Sequence, residues 1–268
     1  MGHGDLTSRL TIPEEQKARG VFVTQQAMVV AGLPVAAEVF RVLEPACAWE
    51  TAVEDGAEVG EGAALAAVRG SGRALLAGER VALNFLQHLS GIATFTHELK
   101  AQLRGLKAEL LDTRKTTPGL RALEKYAARV GGGRNHRARL DDGILIKNNH
   151  LRLAGGIRAT VERARRHRPA DAADLAIEVE VTTCAELEEA MAAGAEAVLL
   201  DNMTPDEVRK CVERAGGRVR LEVSGGLNAS NLRAYAETGV DFLSVGALTH
   251  SAPAAQIHLR MEPLERRL

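Results

Sequence analysis

The chain has 268 residues, a formal net charge of -1 and 46% hydrophobic residues, so it can bury a core unaided and is not, as a whole, a nucleic-acid binder. The N-terminal MGHGDLTSRL has no apolar leader core, and no apolar run approaches the roughly 20 residues that span a bilayer, so no membrane partner is expected. Cys47, Cys184 and Cys211 form no CxxC and suggest no even pairing, as in thiols of a reducing compartment; the expected location is the cytoplasm, and the sequons at Asn202 and Asn228 count as chance matches.

Residues 1 to 80 carry short strands, Gly-rich turns and Val-rich runs such as QQAMVVAGLPVAAEVF. The spacing D-G-x-x-V-x-x-G-x-x-L from Asp55 to Leu65 is that of a biotinyl or lipoyl carrier hairpin, but there is no lysine between Lys17 and Lys100 to modify. The segment is therefore expected to be a structural sheet layer. ERVALNFLQHLSGIATFTHELKAQLRG then reads as one long helix with Leu83, Leu86, Ile92, Phe95 and Leu99 on or near its buried face.

From about residue 105, apolar runs alternate with helical segments, the pattern of βα units around a parallel sheet. AELLDT, GILIKNN, AIEVEV, AVLLDN, VRLEVSGG and DFLSVGA are the strands, and several of the intervening helices stop at glycine. No G-x-G-x-x-G follows a strand and no Walker A lysine loop exists, which excludes those two nucleotide folds. In an α/β barrel the chemistry sits where the strands end. In order, those ends are Arg114 and Lys115, Lys147, Glu180, Asp201, Ser224 with Gly225 and Gly226, and Gly246.

Between Asp112 and Arg152 there are ten Lys or Arg against four acids, a local excess of six. Arg121, Lys125 and Arg129, spaced four apart, read as a solvated helix face. Arg114, Lys115, Arg137 and Lys147 adjoin strand ends, and Arg forks with Lys charges imply a small ligand carrying several negative charges. His136 and His150 lack metal-ligand spacing. In AIEVEV the alternation turns Glu178 and Glu180 to one face. Inside a barrel such carboxylates need a cation, either a lysine or arginine or a metal; Glu180 with Asp201 and a polyphosphate describes a Mg2+ site. The glycine loops VSGGL and SVGAL suit a phosphate. A multiply anionic acceptor and a metal-bound phosphorylated donor imply group transfer.

ERVALNFLQHLSGIAT, LLDTRKTTPGLRALEKYAARVGGGRNHR, ILIKNNHL, IEVEV, AVLLDNM and VSGGL together resemble the quinolinate phosphoribosyltransferase (nicotinate-nucleotide diphosphorylase) family, over nearly the whole chain. The resemblance implies an incomplete TIM-like α/β barrel at 83–251, and an N-terminal open sandwich α+β domain at 1–82 on which 252–268 packs back. It implies a homodimer, Mg2+ as cofactor, and conversion of quinolinate and phosphoribosyl pyrophosphate to nicotinate mononucleotide, pyrophosphate and CO2 in NAD synthesis. Carried onto this sequence, it assigns Arg114, His136, Arg137 and Lys147 to the quinolinate carboxylates, with Arg80 reaching in from the partner subunit. Lys115 and His150 would help with substrate anions. Glu180 and Asp201 would serve Mg2+ and the ribose; Ser224, Gly225, Gly226 and Gly246 would cradle the 5-phosphate. The pyridinium formed on transfer is its own electron sink, so no organic cofactor is expected. The family usually has an extra helix before GDLTSRL, absent here, which puts a truncated start and the edge packing of the first domain in question. It also commonly has Asp where Asn148 stands. A phosphoribosyltransferase for another pyridine or azole acid, such as the paralogue found with molybdate transport genes, and a non-enzymatic phospho-metabolite sensor are the competing readings.

Overall fold

The structure is a computed structural model describing residues 4–265; residues 1–3 and 266–268 lie outside it. The described residues form two compact units, 4–97 with 126–132 and 252–265, and 98–125 with 133–251.

The first unit contains α1 (Leu6–Thr11), β1 (Lys17–Thr24), β2 (Met28–Val29), α2 (Leu33–Leu43), β3 (Ala48–Thr51), β4 (Glu58–Val59), β5 (Ala64–Ser71) and most of α3 (Gly72–Ala101). An antiparallel sheet runs in the order C-terminal strand (Ile257–Pro263), β1, β5, β3, and β2 pairs with β4. Phe22 packs against Phe40 and Trp49 at ring separations of 6.1 and 5.5 Å, in a core completed by Leu65, Leu75 and Leu86.

Two expectations fail in this unit. The Val-rich run is not all extended: LPVAAEVFRVL is α2, entered through Gly32 at φ 102°, with Pro in its first turn. The Asp55 carboxylate accepts from the Gly32 and Leu33 amides, 2.8 and 3.0 Å, placing a negative charge on the positive end of the helix. The aspartate of the carrier-like hairpin is thus a helix cap. The long helix also begins at Gly72, seven residues before Glu79; Leu83, Leu86, Ile92 and Leu99 are buried as expected, while Phe95 is half-buried.

The second unit holds β6 (Glu109–Leu111), α4 (Arg121–Val130, its second half in the first unit), β7 (Ile144–Ile146), α5 (Asn148–Ala154), α6 (Ile157–His167), β8 (Ile177–Val181), α7 (Cys184–Ala193), β9 (Ala197–Asp201), α8 (Pro205–Ala215), β10 (Arg220–Ser224), α9 (Leu232–Ala236), β11 (Phe242–Ser244) and α10 (Ala247–His250). All six expected strands form one parallel sheet in the order β6-β11-β10-β9-β8-β7. β6 and β7 end that order without pairing to each other, which makes the barrel incomplete. Val179, Val198, Leu200, Val223 and Leu243 are buried, while Glu180 and Glu222 fall in register through Leu199. The residue before α9 is Asn231, whose side chain does not cap the helix; it and the Asn228 side chain both donate to the Gly226 carbonyl.

The cysteines are also not all free. Cys184, in the first turn of α7, is bonded to Cys211 of α8, and Cys47 alone is a thiol. The pairing is invisible in spacing because it depends on how two outer helices pack. The bond closes a loop with a sequence separation of 27, worth about 3.5 kcal/mol in the chain-entropy account. Reduction by a dithiol is expected to lower Tm by several degrees, and a scanning-calorimetry pair with and without reductant checks it; an intact mass two daltons heavier after reduction would confirm that the bond was the thing lost.

Candidate active site

The segments that carry Arg114, Lys115, His136 and Arg137 are tied together by contacts that begin at Asp112, a fully buried residue just past β6. Its carboxylate pairs with Lys125 of α4 and accepts from the Asn135 side chain at 2.6 Å and the His136 amide at 2.8 Å. Burial pushes the Asp112 carboxyl up, while Lys125 and these donors oppose the shift. Lys125 is therefore not part of a solvated face. Nor is Arg121, which donates to the Thr116 hydroxyl and to the carbonyls of Ala138 and Arg114 at 3.0 to 3.3 Å. These bonds tie the Arg114–Lys115 turn to the His136–Arg137 segment. The Lys115 carbonyl accepts from Thr249 at 2.7 Å, fixing the same turn to α10.

Arg114, Lys115, His136, Arg137 and Lys147 line one cavity of about 270 Å³ together with Glu180, Asp201 and Ser224. Of the arrangement expected from the sequence, the cations of the early strands share this cavity with the acids and Ser224 of the later ones, while Gly225, Gly226 and Gly246 are not among its lining residues. Lys147 Nζ lies 3.0 Å from Glu180 Oε2, and the Asn148 amide donates to Oε1 at 3.3 Å. An internal ion pair is thus present, and the backbone donor at Asn148 needs no aspartate. Ser224 and Asp201 are in register one layer above Glu222 and Leu199.

Beneath the cations, His136 Nε2 lies 3.3 Å from Glu222 and 3.6 Å from Glu178. Burial lowers the imidazole pKa, but the hydrogen bonds and charges of these carboxylates raise it to about 9. The Arg137 amide points at Nδ1, 2.7 Å away, which favours the neutral ring with its proton on Nε2. Two carboxylates outweigh one amide dipole, and in either state Nε2 carries the hydrogen. These are the one group of three close His, Cys, Asp or Glu donors among the described residues, within 4.8 Å of one another. With hydrogen on Nε2, the ring offers them a donor rather than a metal lone pair. Arg137 donates to the Gly143 carbonyl at 3.2 Å; burial and the nearby Arg114 hold its pKa down.

Gly225 has φ 102°, and a Cβ there would stand 2.3 Å from Asn202 Oδ1, so only glycine fits the loop after β10. Asn202 is itself left-handed at φ 55°, and its side chain donates to Asp201 at 2.9 Å. Gly226 follows at φ 65°, and Gly246 packs against Lys115 and His250.

Five assigned residues lie outside the cavity lining: Gly225, Gly226 and Gly246, together with His150 and Arg80. His150 is exposed, its Nδ1 accepting the Lys147 amide at 2.9 Å at the start of α5. Arg80 is exposed on α3 in the first unit. Glu222 and Ser244 line the cavity and were not singled out; the alternation of RLEVS, the same signal that marked Glu178 and Glu180, was available for Glu222.

For a divalent cation, Glu180 and Asp201 offer hard oxygen donors at one mouth and no full protein cage, which fits Mg2+, an ion that keeps waters and substrate phosphates as ligands.

An incomplete parallel barrel whose mouth brings five basic side chains together with three carboxylates is built as an enzyme that joins anionic reactants. The comparisons make this specific. Residues 5–90 and 92–260 match the models of the quinolinate phosphoribosyl transferase N-terminal and C-terminal domains. A probable nicotinate-nucleotide pyrophosphorylase [carboxylating] of Bacillus subtilis is 42% identical over 97% of this chain and 88% of its own length. A nicotinate-nucleotide pyrophosphorylase [carboxylating] of Mycobacterium leprae is 44% identical over 95% of this chain and 90% of its own. The solved nicotinate-nucleotide pyrophosphorylase of Francisella tularensis superposes with a TM-score of 0.92 at 40% identity, covering 98% of this chain and 91% of that one. The chain belongs to the quinolinate phosphoribosyltransferase family. No helix among the described residues is long and apolar enough to cross a membrane.

Proposed function

We propose that this chain transfers the phosphoribosyl group of phosphoribosyl pyrophosphate to the ring nitrogen of quinolinate, with decarboxylation, giving nicotinate mononucleotide, pyrophosphate and CO2. The observation that carries the reading is the single mouth in which Arg114, His136, Arg137 and Lys147 face Glu180, Asp201 and Ser224. A dicarboxylate needs several cations at short range, and the basic side supplies them. Ribosyl transfer builds positive charge at the anomeric carbon, which carboxylates at the opposite side stabilise. Glu180 and Asp201 would hold Mg2+, which when bound neutralises charge on the departing pyrophosphate. The loop of Ser224, Gly225 and Gly226, with Gly246, offers backbone amides to the 5-phosphate. Holding both reactants in one mouth supplies much of the remaining acceleration.

A homodimer in which Arg80 completes the partner's site, a role for His150 toward substrate anions, and a cytoplasmic location belong to the same reading. It is tested by incubating the protein with quinolinate, phosphoribosyl pyrophosphate and Mg2+ and following CO2 and nicotinate mononucleotide. Product from nicotinate but not quinolinate would overturn the choice of acceptor.

A further inference from the structure

A second cavity, of about 340 Å³, lies behind the site; Glu178, Arg134, Arg220 and Phe242 are among the residues around it. Four residues line both cavities: His136, Arg137, Leu145 and Glu222. Leucine carries no exchangeable proton and arginine does not release one in proteins. The partition therefore contains one pair able to pass a proton, His136 and Glu222, whose Nε2 and Oε2 stand 3.3 Å apart. The other Glu222 oxygen accepts from the Ser244 hydroxyl at 2.5 Å, which holds the carboxylate in place.

We propose that the proton consumed in decarboxylation reaches the substrate through His136 and Glu222, drawn from water in the second cavity rather than through the mouth. The inference rests on the reaction proposed above. In that reaction the bond between ring C2 and its carboxylate breaks as C2 takes up a proton, so CO2 leaves in the same step and the electron pair freed at C2 passes into the new bond. A proton from the His136–Glu222 pair forms the new C2–H bond, and solvent in the second cavity restores the proton to the pair. The mouth is a poor route, because the two bound reactants fill it and displace the water that would have to deliver the proton. The charged groups facing His136 are Glu178 from β8, Glu222 from β10, Asp112 from β6 on its backbone amide, and Arg137 beside it. Carboxylates predominate, so His136 keeps its proton at neutral pH.

The test is a single turnover of Glu222→Gln with quinolinate, phosphoribosyl pyrophosphate and Mg2+, following pyrophosphate and CO2 separately in H2O and D2O. Pyrophosphate is expected to appear near the wild-type rate while CO2 and nicotinate mononucleotide lag by at least about tenfold, with a larger solvent isotope effect. The alkaline limb of CO2 release should move to lower pH, because His136 has lost a carboxylate partner. Quinolinate affinity without the donor should stay within about threefold, which a merely structural role for Glu222 would not allow. Ser244→Ala, a smaller change, should show the same lag in milder form and decides the matter if Glu222→Gln does not fold. Pyrophosphate and CO2 appearing one for one at unchanged rates, or both slowed equally with weakened quinolinate binding, overturns the proposal. Wild-type protein that forms neither product from quinolinate overturns the underlying reaction instead.

Discussion

Arg137→Ala is expected to lower kcat/KM for quinolinate about 10²-fold, roughly 2.7 kcal/mol of lost transition-state stabilisation, with the KM for phosphoribosyl pyrophosphate changed by less than about threefold. The guanidinium lines the mouth, and its place is set by the Gly143 carbonyl and by packing against Gly143 Cα, where an added Cβ would meet Arg137 carbons at 3.2 Å. Truncation leaves a dianion opposite fewer cations in a half-buried site, where charge-assisted hydrogen bonds are worth more than in water. Arg137→Lys keeps the charge and loses the planar fork, so it should recover only part of the loss. Steady-state kinetics on both variants, with Tm recorded beside them, separates a binding defect from an unstable protein. Full activity in Arg137→Ala would remove this residue from the site.

Asp112→Ala should be the most destabilising single change in the second unit, by about 3–5 kcal/mol. It leaves the Lys125 ammonium buried without its partner and removes the acceptor of the Asn135 side chain and the His136 amide. Asp112→Asn is expected to help little, because the amide keeps the shape but not the charge. Replacing both members, Asp112→Leu with Lys125→Met, should regain much of the stability, since no unpaired charge remains. It should not restore the quinolinate KM, because the His136 segment still lacks its anchor. Urea midpoints at constant m-value, read with KM, check both halves. An Asp112→Ala protein within 1 kcal/mol of wild type would mean that the buried pair contributes nothing net.

Much of the barrel was legible in the sequence. Six short apolar runs at regular spacing, with helical periodicity between them, are a local pattern, and all six formed the parallel sheet. The candidate site was legible as types at strand ends, and Arg114, Lys115, Arg137, Lys147, Glu180, Asp201 and Ser224 meet in one cavity. What escaped was of another kind. Periodicity of four marked Arg121 and Lys125 as solvent-facing, yet one spans two loops and the other sits against Asp112, because neither contact is visible along a single helix. The carrier-like spacing around Asp55 described a turn but not its task of capping α2.

By itself, then, the order of residues determined the element types, the inward face of AIEVEV and the sign of charge at each strand end, since these depend on neighbours two to four positions away. Only the tertiary structure decided which charges pair, that Cys184 and Cys211 are joined across 27 positions, and that His136 and Glu222 stand between two cavities. Those outcomes depend on strand register and helix packing, where groups far apart in sequence come within 4 Å and trade water for one another.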